Sequence, residues 1–166
     1  MTDKNGVGVT VFGHDGEERT HVSGYEARGA YSRNVAFHNA TMKQIENVVN
    51  ASAYCEQFIK YECIGTAFYF QSPSGAYSWW VSRQGYKMLY WGGSNPNAKS
   101  CACGMNRSCY DPNKLCNCES VEDKWVEDSG YLVDKEYLPV SELRFGDTGN
   151  SNEEGYHTLG KLLCWY

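Results

Sequence analysis

CACGMNRSCYDPNKLCNC, residues 101–118, holds five of the chain's eight cysteines. Two of its spacings enclose a single residue, Cys101-Ala-Cys103 and Cys116-Asn-Cys118. Such pairs could in principle supply four thiolates to zinc, but structural zinc sites commonly place two or more residues between paired cysteines. The other three are Cys55, Cys63 and Cys164, so the total is even and suits complete pairing, with the connectivity left open. Three N-x-S/T acceptor sequences accompany them, at Asn39-Ala40-Thr41, Asn50-Ala51-Ser52 and Asn106-Arg107-Ser108. They point to an oxidising secretory route and mark Asn39, Asn50 and Asn106 for glycosylation. Residues 101–118 therefore read as a disulfide-tied loop region, in preference to a zinc knuckle or free thiols. The two thiols of each C-x-C pair are expected to take different partners, because a disulfide across one residue has unfavourable geometry.

At 166 residues the chain can bury roughly 70% of its unfolded surface, so a core is possible without metal. Lys and Arg number 15 against 20 Asp and Glu, a formal charge of -5. That balance repels nucleic acid and anionic membrane and excludes both as expected partners. The 13 Tyr and 5 Trp offer large contact areas with polar tips, as befits an extracellular module. No apolar run approaches the roughly 20 residues that span a bilayer. MTDKNGVGVTVFG also lacks the features of a signal peptide, so Met1 is read as an artificial start or the edge of an excised domain.

The predicted elements belong to an α+β class, a mainly antiparallel sheet with one principal helix and a disulfide-rich irregular region. VGVTVFG and AYSRNVAFH alternate as strands do. Thr41-Met-Lys-Gln44 has the form of a capping box and predicts a helix over 41–58, about 15 residues long. Its buried face would hold Ile45, Val48, Val49, Ser52, Cys55 or Glu56, and Ile59. AYSWWVSRQGYKMLYWGG predicts a hairpin turning at 82–85, with one of Trp79 and Trp80 in the core and the other half-exposed along with Tyr86 or Trp91. Residues 92–130 are expected to be irregular, SVEDKWVEDSGYL an acidic turn region, LPVSELRFGDTG a strand with a glycine turn, and EGYHTLGKLLCWY a terminal apolar segment. Residues 1–166 are read as one domain.

Catalytic patterns are missing. His14, His21, His38 and His157 form no metal-binding pair, and His14 and His21 read as surface or local hydrogen-bonding groups. Paired cysteines leave no thiol nucleophile. There is no G-x-S-x-G elbow or phosphate-cradling loop. The expectation is a non-catalytic, extracellular module that binds protein. The rival reading is a lectin-like, glycan-binding domain with Trp91-Gly-Gly93 as a sugar platform, against which stands the ordinary use of such aromatics in core packing.

GHDGEERTHVSGYEARGAY, CEQFIKYEC, SWWVSRQGYKMLYWGG, CACGMNRSCYDPNKLCNC, WVEDSGYLVDKEYLPVSELRFGDTG and GYHTLGKLLCWY, in this order, resemble the fibrinogen-like segment of contactin-associated, neurexin-like adhesion receptors. The resemblance covers nearly the whole chain. It implies a fibrinogen-like fold, an extracellular or secreted location, and a role in cell-surface or matrix adhesion, as part of a receptor ectodomain or as a stand-alone relative. It further implies a calcium site in an acidic loop near a short-range disulfide, where Asp111, Glu119, Glu122, Asp123 and Asp128 crowd. The D-x-D spacing of such loops is missing, and no other cofactor is implied. FIKYEC and LGKLLC also resemble, more weakly, the C-terminal propeptide of fibrillar collagens, which implies a Cys63–Cys164 bridge.

Overall fold

The computed structural model describes residues 6–166 and the backbone of Thr2–Lys4. Among the described residues, ten strands and two helices run β1 (Thr2–Lys4), β2 (Val7–Phe12), β3 (Thr20–Val22), β4 (Tyr31–Asn34), α1 (Met42–Ala51), β5 (Tyr54–Ile64), β6 (Trp79–Val81), β7 (Lys87–Met88), α2 (Ala102–Met105), β8 (Val126–Leu132), β9 (Glu142–Phe145) and β10 (Glu154–Trp165). The larger sheet has the order β1-β2-β10-β5-β8, with β3 also paired to β10, and the smaller has the order β4-β9-β6-β7. All of these pairings are antiparallel. The α+β class read from the sequence is the class observed.

Helix α1 begins where the sequence places it. Thr41 accepts from the Gln44 amide at 3.2 Å while Gln44 accepts from the Thr41 amide at 2.8 Å, a reciprocal cap that satisfies two otherwise orphaned donors. Ile45 and Val49 are buried on its inner side. The helix ends at Ala51, however, and not near residue 58. Ser52 turns extended, its hydroxyl donates to Val48 O at 2.7 Å, and Lys135 Nζ donates to Ser52 O at 2.6 Å, a cation on the carbonyl end of the helix. From Tyr54 onward, alternate residues Cys55, Gln57, Ile59, Tyr61 and Cys63 are buried along an 11-residue strand. Cys55 and Ile59, four apart, satisfy both periods.

β5 and β10 form the spine. Their register sets Cys55 opposite Cys164 and Cys63 opposite Gly155. A break in register between Leu159 and Leu162 leaves Gly160 O free of the ladder. That carbonyl accepts from Gln57 Nε2 at 3.1 Å and from His14 Nε2 at 2.7 Å. Gln57, fully buried, also accepts from Val140 N at 2.9 Å, so its polar atoms have partners on two elements.

The core is strongly aromatic. Tyr61 stacks on Phe145 at 4.3 Å, Phe145 on His157 at 5.6 Å, and Phe68 lies 4.6 Å from Trp91. The hairpin β6–β7 turns as expected, with Gly85 at φ 92 donating to Ser82 O at 3.0 Å. Trp80 is buried, its indole donating to Tyr90 O at 2.9 Å, while Trp79 is half-buried under Lys87, whose ammonium lies 3.8 Å from the ring centroid. Tyr86 is exposed and Trp91 is not.

Residues 126–130 of the expected irregular region, with 131 and 132, form β8, a seven-residue strand on β5. VEDSGYL looks like an acidic turn because one of its two charges, Asp128, takes an inner position of the strand with Gly130 and Leu132, while Glu127 points outward. No helix among the described residues is long and apolar enough to cross a membrane.

Ile45→Asp would set an unpaired charge against this core. Its urea midpoint is expected to fall by the equivalent of several kcal/mol. Unchanged stability would count against Ile45 as an inward position.

Candidate binding surface

All eight cysteines are paired, as Cys55–Cys164, Cys63–Cys118, Cys101–Cys116 and Cys103–Cys109, with no free thiol. The members of each C-x-C pair go to different partners. The Cys63–Cys164 bridge implied by the collagen propeptide resemblance does not form. Cys164 is nine residues along β10 from the position opposite Cys63, roughly 30 Å of strand, whereas Cys55 faces it directly. Cys63 instead reaches out of the sheet to Cys118.

That bridge anchors the loop to β5. Within it, Cys101–Cys116 closes a separation of 15 residues and Cys103–Cys109 one of 6, around the single turn α2. Asp128 of β8 supplies the clamp. Buried, its carboxylate accepts from Asn117 N at 3.0 Å and from Cys118 N at 2.7 Å. Asn117 in turn accepts from Tyr110 N at 2.7 Å and donates to Glu127 O at 2.9 Å. Burial pushes the Asp128 carboxyl up to about 6, against the pull of its two amide donors.

Trp91 belongs to this support and not to the surface. It is 0% exposed, and its indole donates to Asp128 O at 3.0 Å. The expected sugar platform at Trp91 is therefore corrected: a ring with no free face cannot stack on a sugar. The following residues explain the enclosure. A Cβ at Gly92 would lie 2.2 Å from Gly130 O, so the 91–94 segment can close over β8 only as a glycine-on-glycine contact.

The loop exposes two large side chains among polar ones. Met105 is 49% and Tyr110 54% exposed, and Lys124 Nζ lies 3.5 Å from the Tyr110 ring centroid. Asn106, Arg107 and Ser108 are exposed between them. Asn39 and Asn50 are exposed at the approach to α1 and on its last turn.

Of the acids weighed for calcium, Asp111, Glu119, Glu122 and Asp123 line one cavity, but they are not among the described groups whose oxygens come within 4.8 Å of one another. Asp128 spends both oxygens on backbone amides, Glu122 and Asp123 are exposed, and Asp111 caps Asn113 N at 2.9 Å. Glu119 is part-buried with its carboxyl pushed up to about 7 by burial. Among the described residues, the carboxylates that do meet are Glu26, Asp147 and Glu153, with oxygens within 4.8 Å of one another. Sequence spacing offers no sign of this trio, which the fold collects from two loops, β3–β4 and β9–β10. Glu26 and Glu153 are already engaged, accepting from Gly149 N at 3.0 Å and Asn150 N at 3.1 Å. Burial, with the neighbouring Glu153 and Glu26, pushes the Asp147 carboxyl up to about 7.

His14 is buried, not at the surface: Nε2 donates to Gly160 O while Nδ1 accepts from Gly16 N at 3.0 Å. His21 is exposed. His157 is buried against Tyr31, whose hydroxyl lies 2.8 Å from Nε2, and burial pushes its pKa down to about 4.

Two outcomes are expected. Asp128→Ala should cost about 2–4 kcal/mol by stranding two buried amides, and hydrogen exchange should quicken at Asn117 and Cys118; unchanged exchange there would contradict the clamp. The pH dependence has two signs. Asp147 holds its proton longer folded than unfolded, so its contribution is full at acid pH and is lost as pH rises through about 7. His157 is the reverse: its contribution is intact above its ordinary 6.5 and is lost as pH falls towards about 4. Asp147→Asn should therefore reduce the fall of the thermal midpoint between about pH 4 and 7 while the acid-side decline from His157 persists, and a wild-type slope would refute the assignment.

No family model matches the chain. Neurexin-4 of Drosophila melanogaster is 40% identical over 163 residues, 94% of this chain and 12% of that protein. Contactin-associated protein 1 of Homo sapiens is 35% identical over 156 residues, 94% of this chain and 11% of that protein, and its Mus musculus counterpart is also 35% identical. The chain thus spans about an eighth or less of the length of these relatives. With its four disulfides, this kinship makes it extracellular. Along nearly its whole length, the chain is a homologue of one segment of the neurexin-like, contactin-associated proteins.

Proposed function

We propose that the chain is an extracellular, non-catalytic binding module that contributes to cell-surface or matrix adhesion by recognising protein, with residues 1–166 acting as one fibrinogen-like domain. The observation that carries this reading is the braced loop. Three disulfides and the Asp128 clamp hold a short segment that exposes Met105 and Tyr110. A rigid segment loses little entropy on binding, and an exposed tyrosine on it is a suitable anchor. The name of contactin-associated protein 1 states association with contactin. For this chain, the corresponding reading is an extracellular protein partner.

The non-catalytic part of the reading rests on how the reactive groups are used. Every cysteine is oxidised, Asp128 caps amides, and His14 and His157 are enclosed by their hydrogen-bond partners and the core. We assign Asn39, Asn50 and Asn106 as glycan acceptors on their exposure. Asn106 shares the Cys103–Cys109 loop with the proposed contact, so its glycan would regulate access to that surface.

Beads coated with the disulfide-intact chain should bind cells or matrix saturably, with soluble chain competing. The double substitution Met105→Ala, Tyr110→Ala should weaken binding about tenfold or more without moving the thermal midpoint. Absence of binding at micromolar concentration, with disulfides and glycans in place, would replace adhesion with a spacer role.

A further inference from the structure

The outer face of the larger sheet carries a second surface, separate from the loop. One row of residues crosses four strands in register, with His21 opposite Tyr156, Tyr156 opposite Glu62, and Glu62 opposite Glu127. Trp125, just before β8, leans over this row at 5.6 Å and 42° to Tyr156 and is 46% exposed. Arg19, Glu62, Trp125, Val126, Glu127 and Tyr156 line an open cleft of about 470 Å³, within the size range of small-ligand sites.

The charges of the cleft are already matched. Arg19 meets Glu62 through two contacts, at 2.7 and 3.4 Å, and its guanidinium carbon lies 3.6 Å from the Tyr156 ring centroid. Lys60 Nζ lies 3.2 Å from Glu127. An ionic occupant would have to displace one of these pairs. An apolar side chain would cover the carboxylates and the guanidinium without replacing their bonds to water. A neutral polyol does neither. Its C–H face can lie on the open indole, while its hydroxyls donate to the spare carboxylate lone pairs and accept from the guanidinium N–H groups.

From this juxtaposition of an exposed indole with two neutralised ion pairs, we propose that the Trp125–Tyr156 cleft is a binding site for a neutral hexose unit of a glycan. The site goes beyond the protein contact at Met105 and Tyr110 and shares no residue with it.

The test presents the disulfide-intact chain with methyl α-mannopyranoside, methyl β-galactopyranoside and methyl β-glucopyranoside, followed by an array of neutral, sialylated and sulfated oligosaccharides. Saturation-transfer NMR and tryptophan fluorescence report binding. At least one neutral glycoside is expected to bind saturably with a millimolar dissociation constant. Trp125→Ala should abolish binding, Trp125→Phe should retain part of it, and Glu62→Gln should weaken it several-fold. Bead adhesion should survive Trp125→Ala, which separates this site from the protein-binding surface. No saturable binding of any neutral sugar, binding indifferent to Trp125→Ala, or a preference for sialylated or sulfated glycans would each overturn the proposal. So would a Trp125-dependent partner that glycosidase treatment leaves bound, since the occupant would then be protein.

Discussion

The pairing of β5 with β10 is the constraint from which the remaining structure follows. Two strands of 11 and 12 residues, far apart in the chain, lie side by side, and their register determines which side chains face the core. It brings Cys55 and Cys164 together across a separation of 109 residues, a closure worth on the order of 4–5 kcal/mol in the chain-entropy account. It also leaves Cys63 at the far end of the sheet, where it pairs with Cys118 of the loop. A one-residue slip would turn Tyr61, Ile59 and both cysteines of β5 to solvent, so the register is strongly specified.

The smaller sheet and the aromatic core close over the inner face of this spine. Phe145 of β9 lies against Tyr61 of β5 and His157 of β10, so one ring joins the two sheets. The same packing removes Trp91 from the surface and makes it a strut between Phe68 and Asp128. Function is thereby displaced outward, to side chains that the core does not claim. The braced loop presents Met105 and Tyr110, and the outer sheet face presents Trp125. Both surfaces depend on β8, which supplies the clamp to one and the acid Glu127 to the other.

Much was legible in the sequence where the signal is local. The capping box at Thr41–Gln44, the glycine turn at Gly85, the division of Trp79 and Trp80 between surface and core, and the separation of each C-x-C pair all depend on residues within a few positions of one another. Where two periods coincide, local reading fails: Cys55 and Ile59 sit four apart, which fits a helix face and a strand face equally. β8 escaped notice because Asp128, an acid, occupies an inward position, and the amides that justify its burial come from the loop at 117–118.

Cysteine parity and sequons by themselves pointed to an oxidised, extracellular chain, and strand alternation with a helix cap to an α+β class. The tertiary structure alone decided the disulfide partners, the burial of Trp91, the meeting of Glu26 with Asp147 and Glu153, and the alignment of Trp125 beside Tyr156. The physical reason is that these meetings are set by strand register and loop closure, across separations as large as the 109 residues between Cys55 and Cys164, and not by a local pattern. Side-chain chemistry shows what a residue can do, but only the packed chain determines which neighbours it meets and whether water still reaches it.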